Sequence, residues 1–281
     1  MPTPDKVLTC LRRAIDHTRA TPGRTGHLVH LQDCTEVLVA GDLHGHIANF
    51  QAVMKAADLA NHPTRHLVLQ ELIHSEFFYP TGGDKSHQLV DLFAALKCQF
   101  PARVHLLPGN HEMAQMTGRM VAKAGGSQNA LYVEGVKHAY GAAAADICRA
   151  HYDLFRACPL AVRTPNGVFL CHTLVPGKQL PTFDPMRLLD EQYDDKEYQP
   201  GGLVYGILWG RDTAEATAEA FLRKVESDWV VTGHIPNDQG YSVPNSRQVI
   251  LDCCGSPAAY LLFPTDRPLT HDELVQRIVV F

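Results

Sequence analysis

Short segments of this 281-residue chain combine glycine with acids, amides and histidines: GDLHGH at Gly41–His46, QE at Gln70–Glu71, PGNHE at Pro108–Glu112 and GHIPN at Gly233–Asn237. A lone His172 stands in FLCHT. Asp42 and His44 are two residues apart, so an extended turn can aim a carboxylate and an imidazole at one ion. Gly41 and Gly45 remove side chains where the backbone must turn tightly. Glu71, Asn110, His172 and His234 complete an oxygen and nitrogen set suited to manganese, iron or zinc, with one carboxylate able to bridge a pair of ions. Each residue alone has a plainer explanation: Asp42 could cap the helix that follows it, and His234 could be an ordinary loop histidine. What favours chemistry is that each group follows a short apolar run.

Those runs read as strands. Glu36–Ala40 is β-rich and stops at Gly41, after which Ile47, Phe50, Val53, Met54 and Ala57 recur at helical spacing. Arg65–Gln70 repeats the pattern, a long loop leads to a helical stripe of Leu89, Leu92, Phe93 and Leu96, and a third strand runs from Val104 to Leu107. Ala161–Arg163 and Val168–Cys171 flank the turn signal PNG, and Trp229–Thr232 is another strand after a helix over 213–225. Gln248–Cys253 and Ala259–Phe263, separated by GSP, resemble a closing antiparallel pair. Strands alternating with helices predict an α/β chain with a single parallel sheet, and in such sheets ligands gather at the carboxyl ends of the strands. One domain over 1–281 is expected, with a peripheral segment 1–33 that carries a short helix near Cys10–Thr18, a helical insertion at 117–150 and a polar surface stretch at 176–202.

Composition narrows the function. Hydrophobic residues make up 45%, and 25 basic against 30 acidic residues give a net charge of -5, which excludes disorder and a polybasic nucleic-acid surface. The eight cysteines contain no C-x-x-C, so neither a zinc finger nor a thioredoxin-like motif is expected. The absence of a signal core and of any 18-residue apolar run predicts a cytoplasmic protein with no membrane partner.

GDLHGH, GNHE, the LCH histidine and the late GH, in this order from about Val37 to Phe263, resemble the calcineurin-like metallophosphoesterases. The likeness is to their phosphoprotein phosphatase branch, with its bacterial serine/threonine phosphatases and the related symmetrical dinucleoside tetraphosphatases. The resemblance implies a four-layer α/β fold, a central β-sandwich flanked by helices, in place of a single parallel sheet, and a centre of two transition metals (manganese, iron or zinc). Asp42 and His44 match ligands of the first metal, Asn110, His172 and His234 those of the second, and Glu71 falls at the bridging aspartate. The second motif departs from the family's GDxVDRG. It reads QELIHSEFFYPTGGD, with Gln70 for the glycine, Glu71 for the bridging aspartate, His74 for the later aspartate and Ser75 for the arginine. A rival bridging residue, Asp84, lacks the apolar strand that precedes Glu71.

The same resemblance makes His111 the general acid and implies in-line attack by a metal-bridging hydroxide. The aspartate that orients this histidine in the family is His74 here, which leaves Glu76, Glu112 or Asp84 as substitutes. Pro108 replaces an arginine before GNHE, so Arg211 in ILWGRD is the candidate phosphate clamp unless it pairs with Asp212 or Glu215. The expected catalytic set is therefore His111, Asp42, Arg211 and His74. The expected activity is hydrolysis of phosphate monoesters, phosphoserine and phosphothreonine proteins included, so the partner is a phosphorylated protein or small molecule. Hydrolysis of dinucleotide polyphosphates or cyclic nucleotides is the alternative, and a catalytically impaired metal- or phosphopeptide-binding scaffold is the alternative of a different class.

Overall fold

The computed structural model describes residues 3–123 and 126–281. In chain order its first half contains α1 (Pro4–Arg19), β1 (Arg24–Thr25), β2 (Leu28–His30), β3 (Glu36–Asp42), α2 (Ile47–Ala57), β4 (Arg65–Gln70), α3 (His87–Gln99), β5 (Val104–Leu107) and α4 (Asn110–Thr117). A small hairpin of β6 (Ala122–Lys123) and β7 (Gly126–Ser127) leads to α5 (Gln128–Tyr140) and α6 (Ala144–Ala157). The second half contains β8 (Ala161–Arg163), β9 (Val168–Cys171), α7 (Leu203–Trp209), α8 (Glu215–Lys224), β10 (Trp229–Thr232), β11 (Tyr241–Asn245), β12 (Gln248–Leu251), β13 (Ala259–Pro264), α9 (His271–Val275) and β14 (Ile278–Val280).

Two larger sheets form, one in the order β14-β13-β3-β4-β5 and the other β1-β2-β8-β9-β10-β12-β11. They pack face to face through Val37, Val39, Val68 and Leu107 on one side and Leu170, Val231, Val249 and Leu251 on the other. The outer face of the first sheet is covered by helices through Leu11, Phe50, Phe93, Tyr132 and Phe155, and that of the second through Ile207, Ala218 and Phe221. The result is four layers. Because both faces of the inner strands are covered, β3, β4 and β5 are almost continuously buried rather than alternating.

Strand direction positions the site. β3, β4 and β5 are mutually parallel, as are β9, β10 and β12, and a parallel bridge between Asp42 and Asp252 aligns the two sheets. Six strand ends therefore open on the same edge of the sandwich. The sheets come closest at Gly41, where a β-carbon would lie 2.2 Å from the Leu251 carbonyl oxygen, so only glycine lets them join there.

The structure corrects several sequence expectations. The described part of segment 1–33 is not peripheral: α1 buries Leu11 and Ala14 completely, and β1 and β2 extend the larger sheet. Residues 128–157 form two helices that belong to the covering layer through Tyr132, Ile147 and Phe155. The closing hairpin does not exist, because β12 pairs with β10 and β11 while β13 crosses to the other sheet and pairs with β3 and β14. Leu92 faces outward; Leu89, Val90 and Phe93 carry the buried stripe of α3. Among the described residues no helix is long and apolar enough to cross a membrane.

Candidate metal centre

Asp42, Glu71 and His172 each offer a ligand atom within 4.8 Å of the others, and so do His44, Glu71 and His111. Glu71 is common to both groups. One of its oxygens lies 3.1 Å from His44 Nε2 and the other 3.7 Å from His172 Nε2. Asn110 Oδ1 is 3.3 Å from the same His172 nitrogen, and His172 Nδ1 is 3.6 Å from Asp42 Oδ1. The strand-end residues expected to converge do so. The second-motif glutamate is aimed at this cluster, whereas its rival Asp84 is not. Asp84 is fully buried and accepts from the amides and hydroxyls of both Ser75 and Ser86.

The backbone is shaped to present these groups. His44, Glu71, His74 and His234 all have positive φ, the left-handed region that non-glycine residues occupy at a cost. Main-chain amides then orient the carboxylates: His234 N–H donates to Asp42 Oδ2 at 2.7 Å and His111 N–H to Glu71 Oε1 at 2.8 Å. Gly109 and Gly233 supply the space, since a β-carbon would fall 2.1 Å from Glu71 Oε1 and 2.2 Å from Asp42 Oδ1 respectively. Behind them Glu112, fully buried, accepts from the amides of Leu72, Ile73 and Gly109 and so clamps two strand-end loops together.

The donor set fits metal ions. Asp42 Oδ1, His172 Nδ1 and His234 Nε2 are buried with no hydrogen-bond partner among the described residues, a costly condition for polar atoms that a cation relieves. Burial, followed by the nearby Glu71 carboxylate, pushes Asp42 well above the ordinary aspartate range. Burial also pushes His172 down to about 4 and His234 down to about 3, which keeps both rings neutral with a lone pair to offer. His44 Nδ1–H must donate to the Ile73 carbonyl at 2.7 Å, so its Nε2 lone pair confronts a carboxylate oxygen and only a cation between them reconciles the two. Burial opposes charge on His44, yet Glu71 outweighs it and holds that imidazole up to about 10, with a proton playing the cation's part.

His111 borders the cluster, and its Nδ1 lies 2.7 Å from His74 Nδ1. Burial pushes His111 down to about 3 and lowers His74 as well. Of the acids expected to orient it, Asp84 and Glu112 are engaged as described, and His74 Nε2 meets the Gln115 amide oxygen at 2.9 Å. A cavity opens over the cluster, lined by His44, His111, His234, Arg211, Glu76 and Phe77. Asp212 bonds to Gly177, Ala214 and Thr217, and Glu215 to Ser246, so neither acid expected to neutralise Arg211 does so. Arg211 reaches this cavity exposed.

The model of the calcineurin-like phosphoesterase family matches residues 35–258. The chain belongs to that family. Among curated proteins the chain is 25% identical over 244 residues to a probable serine/threonine-protein phosphatase of Encephalitozoon cuniculi, covering 80% of the chain and 48% of that protein. It is 26% identical over 189 residues to a PP2A-like serine/threonine-protein phosphatase of Candida albicans, covering 66% of the chain and 39% of that protein. The chain thus spans about half or less of these relatives. Its fold matches that of a Saccharomyces cerevisiae protein serine/threonine phosphatase similar to human PP5, with a TM-score of 0.73 at 16% identity over 100% of this chain and 89% of the other. Family membership implies divalent metal ions.

Three contributors to the candidate centre escape a motif reading. Gln70, read only as a replacement for glycine, has a fully buried amide with neither atom hydrogen-bonded among the described residues, and its Oε1 would be 3.1 Å from a β-carbon at Gly233. Glu112 is the N3 acid of α4, a position that signals a cap but not a clamp on a distant loop. Gln115 lies four residues after His111, one turn along the same helix, and only that spacing hints at its role.

Proposed function

We propose that the chain hydrolyses phosphate monoesters, phosphoproteins among them, at a centre of two transition-metal ions, with manganese, iron or zinc as candidates. The observation that carries this reading is Glu71, a buried carboxylate shared by two groups of ligand atoms, one containing His44 and His111 and the other Asp42 and His172. Asp42 and His44 would hold the first ion with Glu71, and Asn110, His172 and His234 the second. When bound, such ions neutralise phosphoryl oxygens and acidify water.

The chain's own residues supply the rest. Arg211 reaches the cavity with a planar fork that matches two phosphoryl oxygens. His111 faces the same space, within reach of a departing or entering oxygen, and His74 orients its ring. The names of the two curated relatives favour a phosphoprotein substrate over a dinucleotide polyphosphate.

The test is hydrolysis of an aryl phosphate by chelated, manganese-reconstituted protein, with His111→Asn and Glu71→Asp beside the wild type and metal content measured on the same samples. About two ions per chain and turnover that collapses in His111→Asn are expected. Protein that binds no metal, or that turns over equally with and without it, refutes the proposal.

A further inference from the structure

We propose that Gln115 is a positioning residue for His111: acting through His74, its amide dictates which ring nitrogen of His111 carries the proton. Gln115 is buried, and its orientation is fixed from behind. Its Nε2 lies 3.4 Å from the main-chain carbonyl of Asn129, which can only accept, and 2.9 Å from the Tyr152 hydroxyl. The amide oxygen is therefore the atom facing His74 Nε2 at 2.9 Å.

The consequence passes along the chain of rings. An amide oxygen only accepts, so His74 Nε2 must bear hydrogen, and the neutral His74 ring then has a lone pair on Nδ1. That lone pair points at His111 Nδ1 from 2.7 Å, a distance at which two nitrogens share one proton. The proton belongs to His111. Neutral His111 thus keeps Nδ1–H toward His74 and turns the Nε2 lone pair to the cavity, the form that takes a proton from an entering water and only then has one to give to a departing oxygen. A carboxylate at position 115 would preserve this direction because it too only accepts. An apolar side chain would free His74 to place its proton on Nδ1, donate it toward His111 and reverse the tautomer there.

Long-range proton–nitrogen NMR on zinc-loaded, histidine-labelled protein reads the tautomer directly. The wild type and Gln115→Glu are expected to show His111 as the Nδ1–H form, and Gln115→Met to move it to the Nε2–H form. The kinetic arm rests on the phosphoesterase reading: kcat on an alkyl phosphate falls roughly tenfold or more in Gln115→Met, with KM nearly unchanged, and recovers in Gln115→Glu. An Nε2–H wild-type His111, or a tautomer that ignores Gln115→Met, overturns the inference. So does a reversed tautomer with unaltered kcat, which removes the residue from the reaction. Protein with the expected tautomers but no phosphatase activity on any ester keeps the ring assignment and defeats the proposed function instead.

Discussion

Glu112→Gln exchanges one carboxylate oxygen for an amide nitrogen inside the clamp that ties the Glu71 loop to the Asn110 loop. In the native clamp Oε1 accepts from Leu72 at 2.8 Å and Ile73 at 3.0 Å, and Oε2 accepts from Gly109 at 2.8 Å. With its oxygen toward Leu72 and Ile73, glutamine turns an NH2 against the Gly109 amide and leaves two buried donors unsatisfied. The opposite orientation leaves three. At roughly 1–3 kcal/mol for each buried unsatisfied group, the better orientation costs about 3 kcal/mol. For a chain of this size that is a fall in melting temperature of roughly 6–12 °C. The assay is urea and thermal unfolding in chelator at pH 8, above the value of about 7 to which burial and the Glu71 carboxylate push the Glu112 carboxyl. Metal titration of the same variant should show weakened binding, since the loops that carry Glu71 and Asn110 lose their common anchor. A variant that unfolds within about 1 kcal/mol of the wild type and binds metal as tightly would refute the clamp.

Gly109→Ala places a methyl 2.1 Å from Glu71 Oε1, so metal content measured by atomic absorption should drop sharply while far-UV dichroism stays native. Arg211→Ala should raise KM for a phosphate ester by roughly tenfold or more, the loss expected when a charge-assisted fork on phosphate is removed, with the melting temperature unchanged because the side chain is exposed. Acid should destabilise the fold through His66, which stacks on His105 and is pushed down to about 4 by burial, then by Arg103 and Lys97. The unfolded chain binds that proton near 6.5, so stability is complete above that pH and declines between it and 4, by about 3 kcal/mol for 2.5 pH units. Urea midpoints across this range should show the slope, and His66→Asn should lessen it by the share of one proton, the other buried histidines keeping theirs.

The cluster was legible because the residues proposed as ligands, at parallel strand ends, carry a local signature: Gly41 beside Asp42, Gly109 beside Asn110, Gly233 beside His234. Gly109 and Gly233 make room for a carboxylate from a different strand and Gly41 for the Leu251 carbonyl, so the small residue and the proposed ligand sit together in the sequence even though the group accommodated does not. What supports the ligands was not legible. Glu112 acts on Leu72 and Ile73 across about 40 residues, and Gln115 on His74 across a similar span, with no pattern linking the partners. The sheet assignment failed for a related reason. Two neighbouring apolar runs at 248–253 and 259–263 look like a hairpin locally, yet the first pairs with β10 and β11 and the second with β3 and β14, partners distant in sequence.

The left-handed backbone at His44, Glu71, His74 and His234 sets a trap for anyone engineering this chain for heat resistance. Glycine at any of these positions relaxes torsional tension worth on the order of 1 kcal/mol or more, and at Glu71 it also discards a buried charge. A screen that rewards survival at high temperature in chelator will therefore enrich substitutions at three proposed metal ligands and at the ring that orients His111, delivering sturdier molecules stripped of the proposed chemistry. Selection for ruggedness here has to be run with metal present and catalysis scored in the same round, or it will dismantle what it was meant to preserve.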